Sequence, residues 1–237
     1  MVNMVVKTDN KDVVTFLNRT GIDTRFVSIM GSHIFVNNQR FSRFSNKRQE
    51  TFIRKFPDFT ISRSNIFQKI CTRASRVLAN SLKPGDTIFI YEDHECSNFI
   101  LNVIMEPYRR KYGINLINGS FIEEAVESGA DSIALPLTLD NEVEGILGNC
   151  LNGEKIEVSS LKNKYDAENN IKIIYPLINV PRSWLFSWLE KLDYEYRYPR
   201  TDSYAIDLIN FFEEFIPDVR ENILKSAKYV VNKCVYD

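Results

Sequence analysis

The chain has only two histidines, His33 and His94, and four cysteines, Cys71, Cys96, Cys150 and Cys234, no two of which form a CxxC pair. Two histidines undersupply a histidine-rich metal site or a nucleophilic triad, and scattered thiols argue against a zinc ribbon or a redox motif. No apolar run approaches the roughly 18 residues needed to cross a bilayer. The opening MVNMVVKTDNKDVV lacks the basic start and long apolar centre of a secretory signal. These absences predict a cytoplasmic protein with no membrane contact. Disulfides are not expected there, and isolated cysteines serve as small buried hydrophobes. Internal repeats and low-complexity tracts are also missing.

What is present is ordinary globular material: 237 residues, 44% hydrophobic and 26% charged, enough for one α/β domain with a small appendage. Charge is balanced overall but unevenly placed. From Arg40 to Arg76 the chain carries ten basic residues against Glu50 and Asp58, whereas the remainder carries 20 basic and 29 acidic. That asymmetry is either the footprint of a polyanion or a solvated helix face. Phe41, Phe44, Phe52, Phe56 and Phe59 are interleaved with it. Such rings can stack on bases, but they more often dock a helix onto a core.

The hydrophobic pattern divides the chain into residues 1–60 and 61–237. The first part reads as a small module: a helix over Lys11 to Asn18, then two strands, Thr24 to Met30 and His33 to Phe41, forming a hairpin about Gly31 and Ser32. The second part alternates helices and strands. Ser64 caps a helix reaching about Ser81, and Thr87 to Tyr91 is a continuous apolar run typical of a strand buried on both faces. A helix from Asn98 to Tyr112 follows, then strand Ile114 to Ile117, helix Ser120 to Ser128 and strand Asp131 to Leu137. The pattern continues with a loop over Thr138 to Asn141, helix Glu142 to Leu151, strand Ile171 to Tyr175 and helix Arg182 to Leu192. Two closing helices span Asp202 to Phe215 and Asp218 to Lys233. This alternation predicts a parallel sheet with helices on both faces.

Four segments follow one another in order: NIFQKICTRASRVLANSLKPGDTIFIY (Asn65 to Tyr91), RRKYGINL (Arg109 to Leu116), SGADSIALPLTLDNEVEGILGNCLNGE (Ser128 to Glu154) and YPLINVPRSWLFSWLEKLDYEY (Tyr175 to Tyr196). In order and spacing they resemble the PP-loop ATP pyrophosphatase family, specifically its tRNA 2-thiolation branch, over roughly residues 64 to 233. The third segment is the most specific match. The resemblance implies a Rossmann-like, adenine-nucleotide-α-hydrolase-like fold. It also implies that Glu92, Asp93, His94, Glu95, Cys96 and Ser97 stand where active members carry the phosphate loop SGGKDS. Only the serine is kept, and Glu95 replaces the lysine.

Glycines let backbone amides approach a phosphate, and a lysine offsets its charge. Three carboxylates in that loop act against both. Each like-charge contact at about 4–5 Å costs about 1 kcal/mol in water and several times that in a partly buried cleft. The family's GHnlDDeA block is eroded as well. It reads here Pro136, Leu137, Thr138, Leu139, Asp140, Asn141, Glu142, Val143, and Asp140 and Glu142 are expected to cap a helix start rather than do chemistry. Active thiolating members also carry paired cysteines, for sulfur transfer or an iron–sulfur cluster, and often zinc ribbons. Tyr196 to Arg200 has no late cysteine, and the hairpin has the place of a ribbon without its ligands.

The resemblance is therefore to a degenerate, non-catalytic member of the branch, of the kind that eukaryotic cytoplasmic thiolases pair with an active subunit. It implies no cofactor and no metal. The expected partners are tRNA and either an active PP-loop subunit or a second copy of the chain. The RNA-binding candidates are Arg40, Arg43, Lys47, Arg48, Arg54 and Lys55, with Arg197 and Arg200 at the cleft mouth. Two other readings of the residues stay open. One is a metal-dependent enzyme using Glu92, Asp93, Glu95 and Asp140 as hard oxygen ligands. The other is a structural homo-oligomer joined through Trp184, Phe186, Trp188, Phe211 and Phe212.

Overall fold

The apolar run Thr87–Tyr91 is the central strand of a four-stranded parallel sheet. The structure is a computed structural model that describes residues 10–92, 97–159, 161, 171–192 and 203–234. Side chains alternate across a strand. Ile88 and Ile90 therefore enter one core with helices Asn65–Leu78, Ser97–Tyr112 and Arg182–Glu190, while Phe89 enters another beneath helix Ile122–Glu127. Both faces of the strand are dry, which is why its sequence shows no alternation of polarity.

In chain order the elements are α1 Asn10–Arg19, β1 Val27–Met30, β2 His33–Val36, α2 Gln39–Ser42, α3 Asn46–Lys55, β3 Thr60–Ser62, α4 Asn65–Leu78, β4 Thr87–Tyr91, α5 Ser97–Tyr112 and β5 Asn115–Gly119. They continue as α6 Ile122–Glu127, β6 Ser132–Ala134, α7 Leu139–Leu151, β7 Lys172–Ile174, α8 Arg182–Glu190, α9 Tyr204–Glu213 and α10 Val219–Cys234. The large sheet has the order β5-β4-β6-β7 with all pairs parallel, the expected Rossmann-like α/β arrangement. The small sheet is β1-β2-β3, in which β1 and β2 form the expected antiparallel hairpin.

Several boundaries differ from the sequence reading, each for a local reason. The first expected strand begins as a 3-10 turn, Thr24–Phe26, because the Asp23 carboxylate accepts the Arg25 N–H. The second stops at Val36, because the Asn38 side chain accepts the Phe41 N–H and opens the short helix α2. Strand β3 was not anticipated. It is three residues long and pairs in parallel with β2, so it carries no alternation of its own. Helix α7 starts at Leu139, three residues early, because Thr138 and Asn141 form a reciprocal capping box.

The small sheet is tied to α5 by a charged network. Glu106 Oε1 accepts from Arg110 Nε at 2.7 Å, and Glu106 Oε2 accepts from the Ile29 N–H at 3.1 Å. Arg110 Nη2 also donates to the carbonyls of Thr24 and Val27, at 2.9 and 2.8 Å. Phe35 of β2 completes the attachment by packing against Trp188 and Phe67, with ring centroids 5.4 and 5.9 Å away. Residues 10–60 thus have a hydrophobic core of their own, built on Val13, Leu17, Ile34 and Phe52, yet share a second one with the large sheet.

Removing one partner from this largely buried network leaves the other charge uncompensated. Glu106→Ala is expected to lower unfolding stability by about 2–3 kcal/mol in urea titration. A loss below roughly 0.5 kcal/mol, the range of a neutral surface change, would contradict that role.

Candidate functional site

The strand order reverses at β4. Its successor β5 lies on one side and β6 on the other, so the connections leaving β4 and β6 diverge and open a crevice at their carboxyl ends. In open α/β sheets such a switch point is where ligands are held. The loop after β4 starts at Glu92, whose N–H donates to the Gly119 carbonyl at 2.8 Å. Gly119 has no space for a side chain, because a Cβ there would stand 2.7 Å from the Phe89 ring. Two backbones therefore meet closely at the mouth. Asp93, His94, Glu95 and Cys96 lie outside the described residues, and Ser97 opens α5.

The loop after β6 leads into the first turn of α7, where Asp140, Asn141 and Glu142 each have partners. Asp140 Oδ2 accepts the Arg182 N–H at 2.5 Å, which satisfies a free donor at the start of α8. Arg220 Nε of α10 stands 3.0 Å from Asp140 Oδ1, an ion pair at an angle poor for a hydrogen bond. Arg220 also pairs with Glu213 of α9 and donates to Asn210 at 3.2 Å. Asn141 Oδ1 accepts the Thr138 N–H at 3.1 Å within the capping box. Glu142 is 6% exposed, and its Oε1 accepts the Ser159 N–H at 2.6 Å. Burial, with the Glu142 charge added, holds the Tyr175 phenol above its ordinary pKa. Burial lowers Lys228 and Glu142 opposes that shift. Asp140 thus ties α7 to α8 and α10, while Asn141 caps α7 and Glu142 holds the backbone at Ser159.

The RNA-binding candidates separate into two groups. Arg40, Arg43, Lys47, Arg54 and Lys55 are exposed on α2 and α3, while Phe44, Phe52, Phe56 and Phe59 point inward into an aromatic cluster. The Lys55 ammonium sits 4.7 Å from the centre of the Phe16 ring. Arg48 is structural, because its guanidinium donates to the Arg43 carbonyl at 2.5 Å and so fixes the turn between α2 and α3. Arg43 occupies that turn with φ of 56°, a conformation unusual for a residue with a side chain. Arg197 and Arg200 lie outside the described residues.

Of the aromatic set expected at a homo-oligomer surface, Phe211 alone is among the exposed large hydrophobic residues. Trp188 is fully buried and stacks on Phe67 with centroids 4.2 Å apart, and Phe186 is buried with it. Trp184 lies beneath Arg73, 4.3 Å from the ring centre, and Phe212 packs against the α7–α10 core. In RSWLFSWLE the polar Ser183, Ser187 and Glu190 recur at spacings of four and three and take the outer face, which turns Leu185, Phe186, Trp188 and Leu189 into the core. Exposed apolar surface appears instead along α9 and its end, where Tyr204 (89% exposed), Phe211 (56%), Phe215 (68%) and Ile216 form a ridge. Arg220 and Lys228 went unnoticed in the sequence because no local motif marks them.

Among the described residues no three His, Cys, Asp or Glu side chains are gathered so as to hold a metal ion, and no helix is long and apolar enough to cross a membrane. Cys71 is buried in the main core, where burial raises its pKa, and Cys150 is exposed at the far end of α7.

Asp140→Ala is expected to cost about 2 kcal/mol, since it removes both a helix cap and an ion-pair partner. Asp140→Asn keeps the acceptor for the Arg182 N–H and should cost less. Urea unfolding checks the order, and a neutral Asp140→Ala would contradict the structural role.

No protein-family model matches the chain, and no curated protein matches its sequence. Among solved structures it is similar to one described as U34-tRNA thiolase NcsA from Methanococcus maripaludis with its [4Fe-4S] cluster. The TM-score is 0.55 at 13% sequence identity, over 75% of this chain and 84% of that one. At that identity the likeness establishes a shared Rossmann-like α/β fold, with β4 and the loop after it at the sheet's switch point.

Proposed function

We propose that the protein is a non-catalytic PP-loop homologue that serves tRNA wobble-uridine 2-thiolation by holding tRNA and a partner subunit. The observation that carries this reading is the commitment of Asp140 to Arg182 and Arg220 in the motif that flanks the switch-point crevice. A carboxylate bound at both oxygens to the scaffold is a poor candidate for magnesium or nucleotide chemistry. The sequence of the neighbouring loop, with Glu92, Asp93 and Glu95 in place of glycines and lysine, supports the same conclusion.

The solved relative is described with a [4Fe-4S] cluster, which thiolate ligands normally hold. The described cysteines do not fit one. Cys71 is inside the main core and Cys150 is at the surface end of another helix. On this reading the sulfur chemistry belongs to the partner. The exposed ridge Tyr204, Phe211, Phe215 and Ile216 supports the partner role, since contiguous apolar surface of this kind marks association sites.

The tRNA role rests on the cations of α2 and α3. The variant Arg40→Ala, Arg43→Asn, Lys47→Ala, Arg54→Ala removes four exposed charges and leaves Arg48 in place; asparagine tolerates the left-handed backbone at position 43. It should weaken tRNA binding and reduce the slope of log affinity against log salt by about 3. Unchanged affinity and slope would defeat the RNA part of the reading. For the partner, Phe211→Glu with Phe215→Glu should abolish co-sedimentation with a PP-loop protein carrying an intact SGGKDS loop. Retention of the complex would exclude the ridge as the interface, and loss of a homodimer instead would identify a second copy as the occupant.

A further inference from the structure

The basic run identified in the sequence does not end on the outer face of α3. Its last two members, Arg73 and Arg76, leave the flank and line a groove between α4, β7 and α10. β7 is the outermost strand of the large sheet, and α10 faces α4 across the groove. Two adjoining cavities, of about 410 and 320 Å3, share Arg76, Asn179 and Lys228 along their common wall. From α4 come Arg73 and Arg76, three residues apart on one side of the helix, and Asn80 follows just past its end. From α10 come Glu221, Lys225 and Lys228, at spacings of four and three residues, and Lys172 of β7 closes the floor. Residues from three separate parts of the chain thus bring five cations to one concavity.

We propose that this groove is a phosphate-binding site. Its only lining carboxylate among the described residues is Glu221, which Arg73 engages at 3.1 Å. Arg73 is also immobilised, donating to the Asn179 carbonyl at 2.7 Å and stacking 4.3 Å above the Trp184 ring. Its charge is therefore held in position before any ligand arrives, which lowers the ordering cost of binding. The Lys172 ammonium donates to the Ser81 carbonyl, which ties the floor to the end of α4. Arg76 and Lys225 project from opposite helices into the opening and are exposed.

Lys228 lines both cavities. It is half-buried, and burial disfavours its charged form, while Glu142 behind it acts in the opposite direction. The Glu142 carboxylate already accepts the Ser159 N–H, so it does not fully compensate the ammonium. A phosphate oxygen entering between Arg76, Lys225 and Lys228 would restore the solvation that burial removes. Tyr175 stands on the wall, its phenol a hydrogen-bond donor and its ring a flat surface beside the cations.

The ligand is defined by its phosphate groups, and two sources present them: the backbone of an RNA, and a free pyrophosphate or nucleotide. For the RNA source the inference rests on the function proposed above; for the free anion it stands alone. Full-length protein is titrated by calorimetry with unmodified tRNA and, separately, with inorganic pyrophosphate, at several salt concentrations. The groove variant Arg76→Ala, Lys225→Ala, Lys228→Met is compared with the α2–α3 variant described above. Methionine retains most of the apolar stem of Lys228. Arg76→Ala with Lys225→Ala changes exposed side chains alone and serves if the triple variant fails to fold.

Whichever ligand the wild type binds, the groove variant should bind it at least about tenfold more weakly, and for tRNA the salt slope should fall by about 2. Loss with pyrophosphate but not tRNA identifies a free phosphate as the ligand and leaves the groove site standing while the RNA source falls. If the groove variant keeps wild-type affinity for both ligands, or the wild type binds neither, the phosphate site is wrong. Weakening by the α2–α3 variant alone would overturn the groove while sparing the proposed function.

Discussion

Asp140 is the point on which the candidate site and the scaffold both depend. Its carboxylate begins α8 through the Arg182 N–H and anchors α10 through Arg220, while its own helix is begun by Thr138 and Asn141 beside it. Arg220 extends the link to Glu213 and Asn210 of α9. Four helices therefore converge on one partly buried charge, at the carboxyl end of β6. A charge so placed is stable only while its partners remain, and each partner belongs to a different helix. An ionic cluster that a catalytic version of the crevice would need free for ligand is here a structural joint.

The same division between outside and inside explains the basic flank. Phe44, Phe52, Phe56 and Phe59 bury their rings against α1 and the hairpin, and that burial turns the intervening cations outward. The flank is held to the large sheet by Glu106 and Arg110 and by Phe35 on Trp188, so its charges sit on a surface fixed relative to the crevice. Farther along, α4 carries Arg73 and Arg76 into the groove against α10. A single basic stretch in the sequence thus becomes two separate groups of cations, one on the α2–α3 flank and one in the groove.

Much of the fold was legible in the sequence because its strongest signals are local. Thr87 to Tyr91 was located residue for residue, since a strand buried on both faces is a bare apolar run. Ser64 marked the start of α4 by its capping side chain. What escaped depends on partners distant in sequence. Strand β3 exists only because β2 offers it a ladder. The early start of α7 relies on Thr138 and Asn141, a box in which asparagine stands where a glutamate or glutamine gives the usual signature. Trp188 and Phe186 were expected outside, although Ser183, Ser187 and Glu190, at spacings of four and three, mark the outward face of their helix. At the site, Asp140 was expected to serve its own helix. Its actual partners lie 42 residues away at Arg182 and at Arg220 on another helix, and no spacing rule finds them.

The central proposal is that this Rossmann-like chain is a PP-loop homologue that lacks the family's ATP chemistry. The most direct test is to incubate the purified full-length chain with ATP, Mg2+ and unmodified tRNA, and to measure AMP and pyrophosphate. The account predicts no release above a protein-free control, with tRNA still bound. Release of both products in equal amounts, lost on substitution of Glu95 or Asp140, would contradict it.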